Sequence, residues 1–137
     1  MKGFLKKGFT LAEVMVVAGI IFIALLALFG VYTSALILVV EAREQAIATE
    51  DLEDSLEYIK TLPFAYITES ANGGFADNTT VSASIVGGFL LDNESLTVTY
   101  PQGIGADPIE IQVDASWTGK YGRGKTLTFR TLRSSGL

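Results

Sequence analysis

The sequence predicts an α+β fold. One long N-terminal helix, membrane-spanning in its first half and amphipathic in its second, packs on a small antiparallel β-sheet of about four strands. Three observations predict it. Residues 14–40 carry no charge. Residues 48–62 place apolar side chains at three- and four-residue steps, the period of a helix with one buried face. After residue 80, apolar and polar residues alternate in short runs separated by Gly, Pro, Asn and Asp, the pattern of half-buried strands joined by turns. The chain thus divides into a basic leader (1–8), a transmembrane half-helix (9–40), an amphipathic half-helix (41–62) and a β-rich head (63–137).

At 137 residues the chain allows one domain, and its 49% apolar content is concentrated before residue 41. The net charge is −5, yet Lys2, Lys6 and Lys7 all lie in the first eight residues. Without them, seven basic residues face fifteen acidic ones, which argues against nucleic acid as a partner held by a basic surface. There is no cysteine and no histidine. Disulfides, thiolate metal sites and imidazole chemistry are therefore excluded, and the redox compartment stays open.

The uncharged run from 14 to 40 corresponds to roughly 40 Å of helix, against a hydrocarbon core of about 30 Å. Lysines before it and acidic-leaning Glu41, Arg43 and Glu44 after it place the N-terminus in the cytoplasm and the head outside. A secretory signal peptide competes for this stretch, but its apolar region spans only about 7–15 residues. The run here is nearly twice that, so the segment is expected to be retained as a single-pass anchor.

From residue 41 the pattern turns amphipathic. Ala48, Leu52, Leu56, Ile59 and Leu62 form the stripe, while Glu41, Glu44, Glu50, Asp51, Glu53, Asp54 and Glu57 are assigned to the other faces. No proline interrupts 9–62, and Pro63 supplies the stop, so one continuous helix is predicted across that range. Residues 63–80 have turn chemistry, with Phe64, Tyr66 and Phe75 expected to anchor the loop to the core. Strands are predicted around Val81–Ala83–Ile85, Leu96–Val98–Tyr100, Ile109 through Trp117, and Leu127–Phe129. Their connections are too short for crossover helices, so the sheet is antiparallel. Its apolar face needs a cover, and the helical stripe is the candidate.

The segment that organises the chain is Lys6-Lys7-Gly8-Phe9-Thr10-Leu11-Ala12-Glu13, in which Glu13 is the only charge between Lys7 and Glu41. This run resembles the N-terminus of type IV pilin precursors and type II secretion pseudopilins. The resemblance implies cleavage between Gly8 and Phe9 by a prepilin peptidase, N-methylation of Phe9, and a role for Glu13 as the docking acid of an assembly helix. It further implies that the partners are other pilin or pseudopilin subunits, an inner-membrane assembly platform and membrane lipid. The localisation implied is the inner membrane, followed by the pilus or pseudopilus. The helix end Leu62-Pro63-Phe64 and the segment from Ser116-Trp117 to Arg123 look most like minor pilins of the PilV kind or minor pseudopilins of the "I" kind. Two departures stand out: many major pilins carry a C-terminal disulfide and a proline in the membrane helix, where this chain has no cysteine and has Gly30.

A carboxylate at bilayer depth costs about 2.5–3.5 kcal/mol on insertion scales, so Glu13 needs a partner. Cleavage before Phe9 would create an α-amine, protonated near neutral pH. Helices stacked with an offset of about one turn would bring that amine to a neighbour's carboxylate. The structural alternative is a capping box, because Thr10-Leu11-Ala12-Glu13 fits the S/T-x-x-E pattern.

The remaining signals have plainer readings. Asp92, Asn93, Glu94 and Asp107 are read as solvated turn residues, because calcium needs about six to eight converging oxygens. Asn78-Thr79-Thr80 and Asn93-Glu94-Ser95 match a glycosylation triplet that arises often by chance. Lys120, Arg123, Lys125, Arg130 and Arg133 form a basic block, expected to match acids of its own helix or of a neighbour. No nucleophile–base pair, metal cluster, cofactor motif or phosphate loop is present, so an enzyme is not expected. The rival to a filament subunit is an anchored binding module whose head captures a ligand or DNA.

Overall fold

The structure, a computed structural model, describes residues 10–136. A single helix, α1, runs Leu11–Thr61, and four strands follow: β1 (Thr79–Thr80), β2 (Ser95–Thr99), β3 (Ile109–Thr118) and β4 (Gly124–Arg133). The fold is α+β, as the sequence predicts. The chain separates into two units, one ending at Val39 and the other beginning at Val40.

In the first unit, α1 makes its backbone hydrogen bonds internally and buries nothing. Its most apolar window has a mean hydropathy of 3.0 with no residue buried, and side chains such as Met15, Phe22 and Phe29 stand open. Length and composition suit a single membrane span or a signal sequence. The aliphatic hydroxyls of Thr33 and Ser34 are satisfied locally, both donating to the Gly30 carbonyl at 3.0 Å. Such internal pairing is what hydrocarbon demands of a polar group.

In the second unit, the predicted stripe is the core-facing side of α1. Ala48, Leu52 and Ile59 are fully buried and Leu56 nearly so, packed with Leu96, Val98, Ile109, Ile111, Val113, Ala115 and Trp117 of the sheet. The sheet is a four-stranded antiparallel meander in the order β1-β2-β3-β4. Register follows the period-two pattern: Val98 opposes Val113, which opposes Phe129, and Leu96 opposes Ala115, which opposes Leu127. One face of β3 is therefore apolar from Ile109 to Trp117.

Three expectations are corrected. The strand expected over 80–85 shrinks to Thr79–Thr80, paired with Val98 and Thr97. Beyond Val81 the chain turns instead, with Ile85 N–H donating to Ser82 O and Gly88 N–H to Ala83 O. The Ser82 and Ser84 hydroxyls, 2.9 Å apart, engage one another and the Ser84 amide, and such local bonds compete with a strand ladder. The loop anchor is also shifted: Tyr66 is exposed, whereas the next residue, Ile67, is fully buried beside Phe75. Gly74 permits that contact, since a Cβ there would lie 1.8 Å from the Tyr66 carbonyl oxygen. Finally, Glu44 and Asp51 lie on the buried face of α1 rather than the solvated one.

Candidate functional site

The start of α1 carries the sequence-predicted site, of which Glu13 is described and the processing pair Gly8 and Phe9 lies outside the described residues. Thr10 and Glu13 form a reciprocal capping box. Glu13 Oε2 accepts from the Thr10 amide at 2.9 Å and from the Thr10 hydroxyl at 3.0 Å, while the Glu13 amide donates to Thr10 Oγ1 at 3.3 Å. Two of the donors left over at a helix N-terminus are thereby satisfied. The carboxylate nonetheless remains solvent-exposed, and among the described residues Oε1 has no hydrogen-bond partner.

Glu44 is built into a polar latch on the head. Its Oε1 accepts the Lys120 backbone N–H at 2.8 Å and its Oε2 the Lys125 ammonium at 3.2 Å, and Lys125 also reaches Glu41 at 3.4 Å. The turn between β3 and β4 presents the Lys120 amide, and the start of β4 presents Lys125. The turn closes through Gly119 N–H to Arg123 O and Gly122 N–H to Gly119 O, with Gly122 at a positive φ of 72°. A Cβ at Gly119 would sit 3.0 Å from Glu44 Oε2. The Lys120 amide holds the Glu44 carboxyl below its usual range against the opposing effect of burial, and Lys125 adds to this. The Trp117 indole N–H lowers it further from nearby while falling short of hydrogen-bond geometry. Burial pulls the Lys125 ammonium down, but Glu44 and Glu41 together raise it.

Of the basic block, Lys125 thus matches acids of its own helix, whereas Arg130 pairs with Glu110 of β3 at 3.4 Å. Arg133 does something different. Its guanidinium donates to the carbonyls of Ile59, Lys60 and Leu62, covering the C-terminal end of α1 where carbonyls lack intrahelical partners.

Asp51 is the most buried acid among the described residues, with 4% of its surface exposed, and Glu94 matches Glu44 at 9%. Glu94 is therefore not a solvated turn residue: its Oε2 accepts the amides of Leu90 and Leu91 at 3.2 and 2.9 Å. Burial first, and then the neighbouring Glu94, push the Asp51 carboxyl up to about 7. Asp107 also has a structural task, holding the chain end by accepting from Ser135 N–H and Oγ–H, which keeps its carboxyl low. Tyr100 closes the core, donating its hydroxyl to Phe75 O at 2.8 Å and Ile67 O at 3.1 Å; burial pushes it up to about 12.

Glu44, Asp51, Glu94 and Arg133 are the residues that reading the sequence misplaced or left unassigned. A signal for two of them was present: 44, 48, 51 and 55 step by four, three and four along α1, the spacing of the buried stripe itself. Among the described residues no group of three or more acids gathers to hold a metal ion. A long apolar N-terminal helix whose second half packs on a four-stranded antiparallel sheet is a pilin-like architecture. Compared with family models, with curated proteins and with solved structures, the chain shows no match.

Proposed function

We propose that the chain is the precursor of a pilin or pseudopilin subunit, of the minor kind, that is processed between Gly8 and Phe9 and assembles through residues 9–40 into a type IV pilus or a type II secretion pseudopilus. The observation that carries this reading is the combination at the start of α1. A single carboxylate, Glu13, stands at the mouth of a helical segment whose every described side chain up to Val39 is exposed and nearly all apolar. Such a surface calls for lipid on one side and like helices on the other. The carboxylate retains one oxygen without a partner among the described residues, which is what docking to a neighbour's α-amine requires. The resemblance of residues 6–13 to prepilin N-termini supplies the processing step and the partners: the peptidase, sibling subunits and the membrane assembly platform.

Two substitutions separate docking from capping. Glu13→Gln keeps a side chain able to complete the capping box but removes the charge, whereas Glu13→Ala removes both. Both variants are expected to insert in the membrane with a folded head and to fail to enter filaments. Normal incorporation of Glu13→Gln alongside failure of Glu13→Ala would reduce Glu13 to a cap and contradict the docking role.

A further inference from the structure

We infer that Asp51 and Glu94 form a buried proton-binding site, in which one shared proton links α1 to the residue entering β2 and is given up as the surroundings become alkaline. Asp51 Oδ2 and Glu94 Oε1 are both sealed from solvent, and neither has a hydrogen-bond partner among the described residues. After burial itself, the Glu94 carboxyl is the neighbour that acts most strongly on Asp51, so the two sealed groups belong to one site. Two unpartnered acceptors face to face are unfavourable, and two ionised carboxylates sealed together more so. A single proton removes both problems. It turns the facing acceptors into a donor and an acceptor and leaves one negative charge on the pair.

The surroundings say which side keeps the charge. Glu94 Oε2 already accepts the Leu90 and Leu91 amides, whereas Asp51 is the carboxyl that burial and its acidic neighbours push up, so Asp51 is the donor and Glu94 the acceptor. The charged groups acting on Asp51 are Glu94 from the β2 side and Glu50 and Asp54 from α1 itself, all acidic. No cation is among them. The Ser55 hydroxyl beside it is already committed, donating to the Asp51 carbonyl at 2.8 Å. A divalent cation would need about six oxygens, whereas two carboxylates converge here without a third acid. The upward push on Asp51 puts the release of the proton close to neutrality. Once it leaves, like charges separate the helix from the 90–94 turn, and the Leu90 and Leu91 amides open.

The proton site stands independently of the filament reading and is tested on the full chain in detergent micelles. Infrared difference spectra between about pH 5 and about pH 9, with and without carboxyl-13C aspartate, report protonated aspartic acid directly. The expected result is one isotope-sensitive acid band in the wild type, lost with a midpoint near 7 and absent from Asp51→Asn. Amide exchange at Leu90 and Leu91 should rise by about tenfold or more across the same range in the wild type only. In Glu94→Gln, the band should be lost at a lower pH than in the wild type, because the neighbouring charge that keeps the proton on Asp51 is gone, and a band that persisted to higher pH would overturn the pairing. An absent acid band in the wild type at about pH 5, or one unchanged in Asp51→Asn, overturns the site. Loss of the band on adding calcium or magnesium at that pH would make it a cation site instead and overturn it equally. The wild-type spectra decide the matter even where a variant fails to fold.

Discussion

Glu44 and Asp51 occupy one face of α1, roughly two turns apart, yet their partners are opposite in character. Glu44 meets an amide and an ammonium, so its folded-state carboxyl lies below the ordinary value of 4.5. Its contribution to stability is complete above that value and is lost as pH falls through the folded one. Asp51 meets only acids and is raised from 3.8 to about 7. Its contribution is complete below 3.8 and is lost progressively up to about 7. Together they predict a thermal midpoint for the head that is highest near about pH 4 and lower at about pH 8. Asp51→Asn should flatten the alkaline decline, and a wild-type midpoint constant over that range would contradict the assignment. Gly74 gives a second residue-scale prediction. A methyl group there would collide with the Tyr66 and Ile67 carbonyls, so Gly74→Ala should destabilise the head by about 1–3 kcal/mol in denaturant melts.

Among the elements, α1 and β3 do most to define the head, and both were legible. The helix was readable because Ala48, Leu52, Leu56 and Ile59 keep its period without a proline until Pro63, and β3 because ten residues alternate without a break. Leu52 has no exposed surface at the centre of this contact. Leu52→Ala should therefore cost about 2–5 kcal/mol, measured by chemical denaturation in detergent. The segment 80–85 misled for a physical reason. Val81, Ala83 and Ile85 alternate like a strand, but serine hydroxyls between them can form turns, and nothing in a period-two count registers that competition. The Arg133 cap and the Glu44 latch were illegible for another reason. Each joins residues more than seventy positions apart, and only the fold brings them together. Arg133→Ala, by exposing the last carbonyls of α1, should raise amide exchange in the final turn of the helix while leaving the sheet protected.

At the scale of the whole molecule, the head accounts for its own stability and the first unit does not. The head has a core, a closed hairpin latch and a capped helix end, whereas the segment up to Val39 has only its internal helix bonds and an apolar surface. A signal sequence, a simple anchor and an assembly helix would all present that surface. What would set the proposed assembly helix apart is chemistry at its first residues: a leader that would end at Gly8, a Phe9 amine that cleavage would create, and Glu13 four positions on. The most direct measurement is therefore the intact mass of the chain purified from membranes after co-expression with a prepilin peptidase. The account predicts loss of residues 1–8 together with one added methyl group on Phe9. A chain that keeps its leader, or is cut at any other bond, would contradict it.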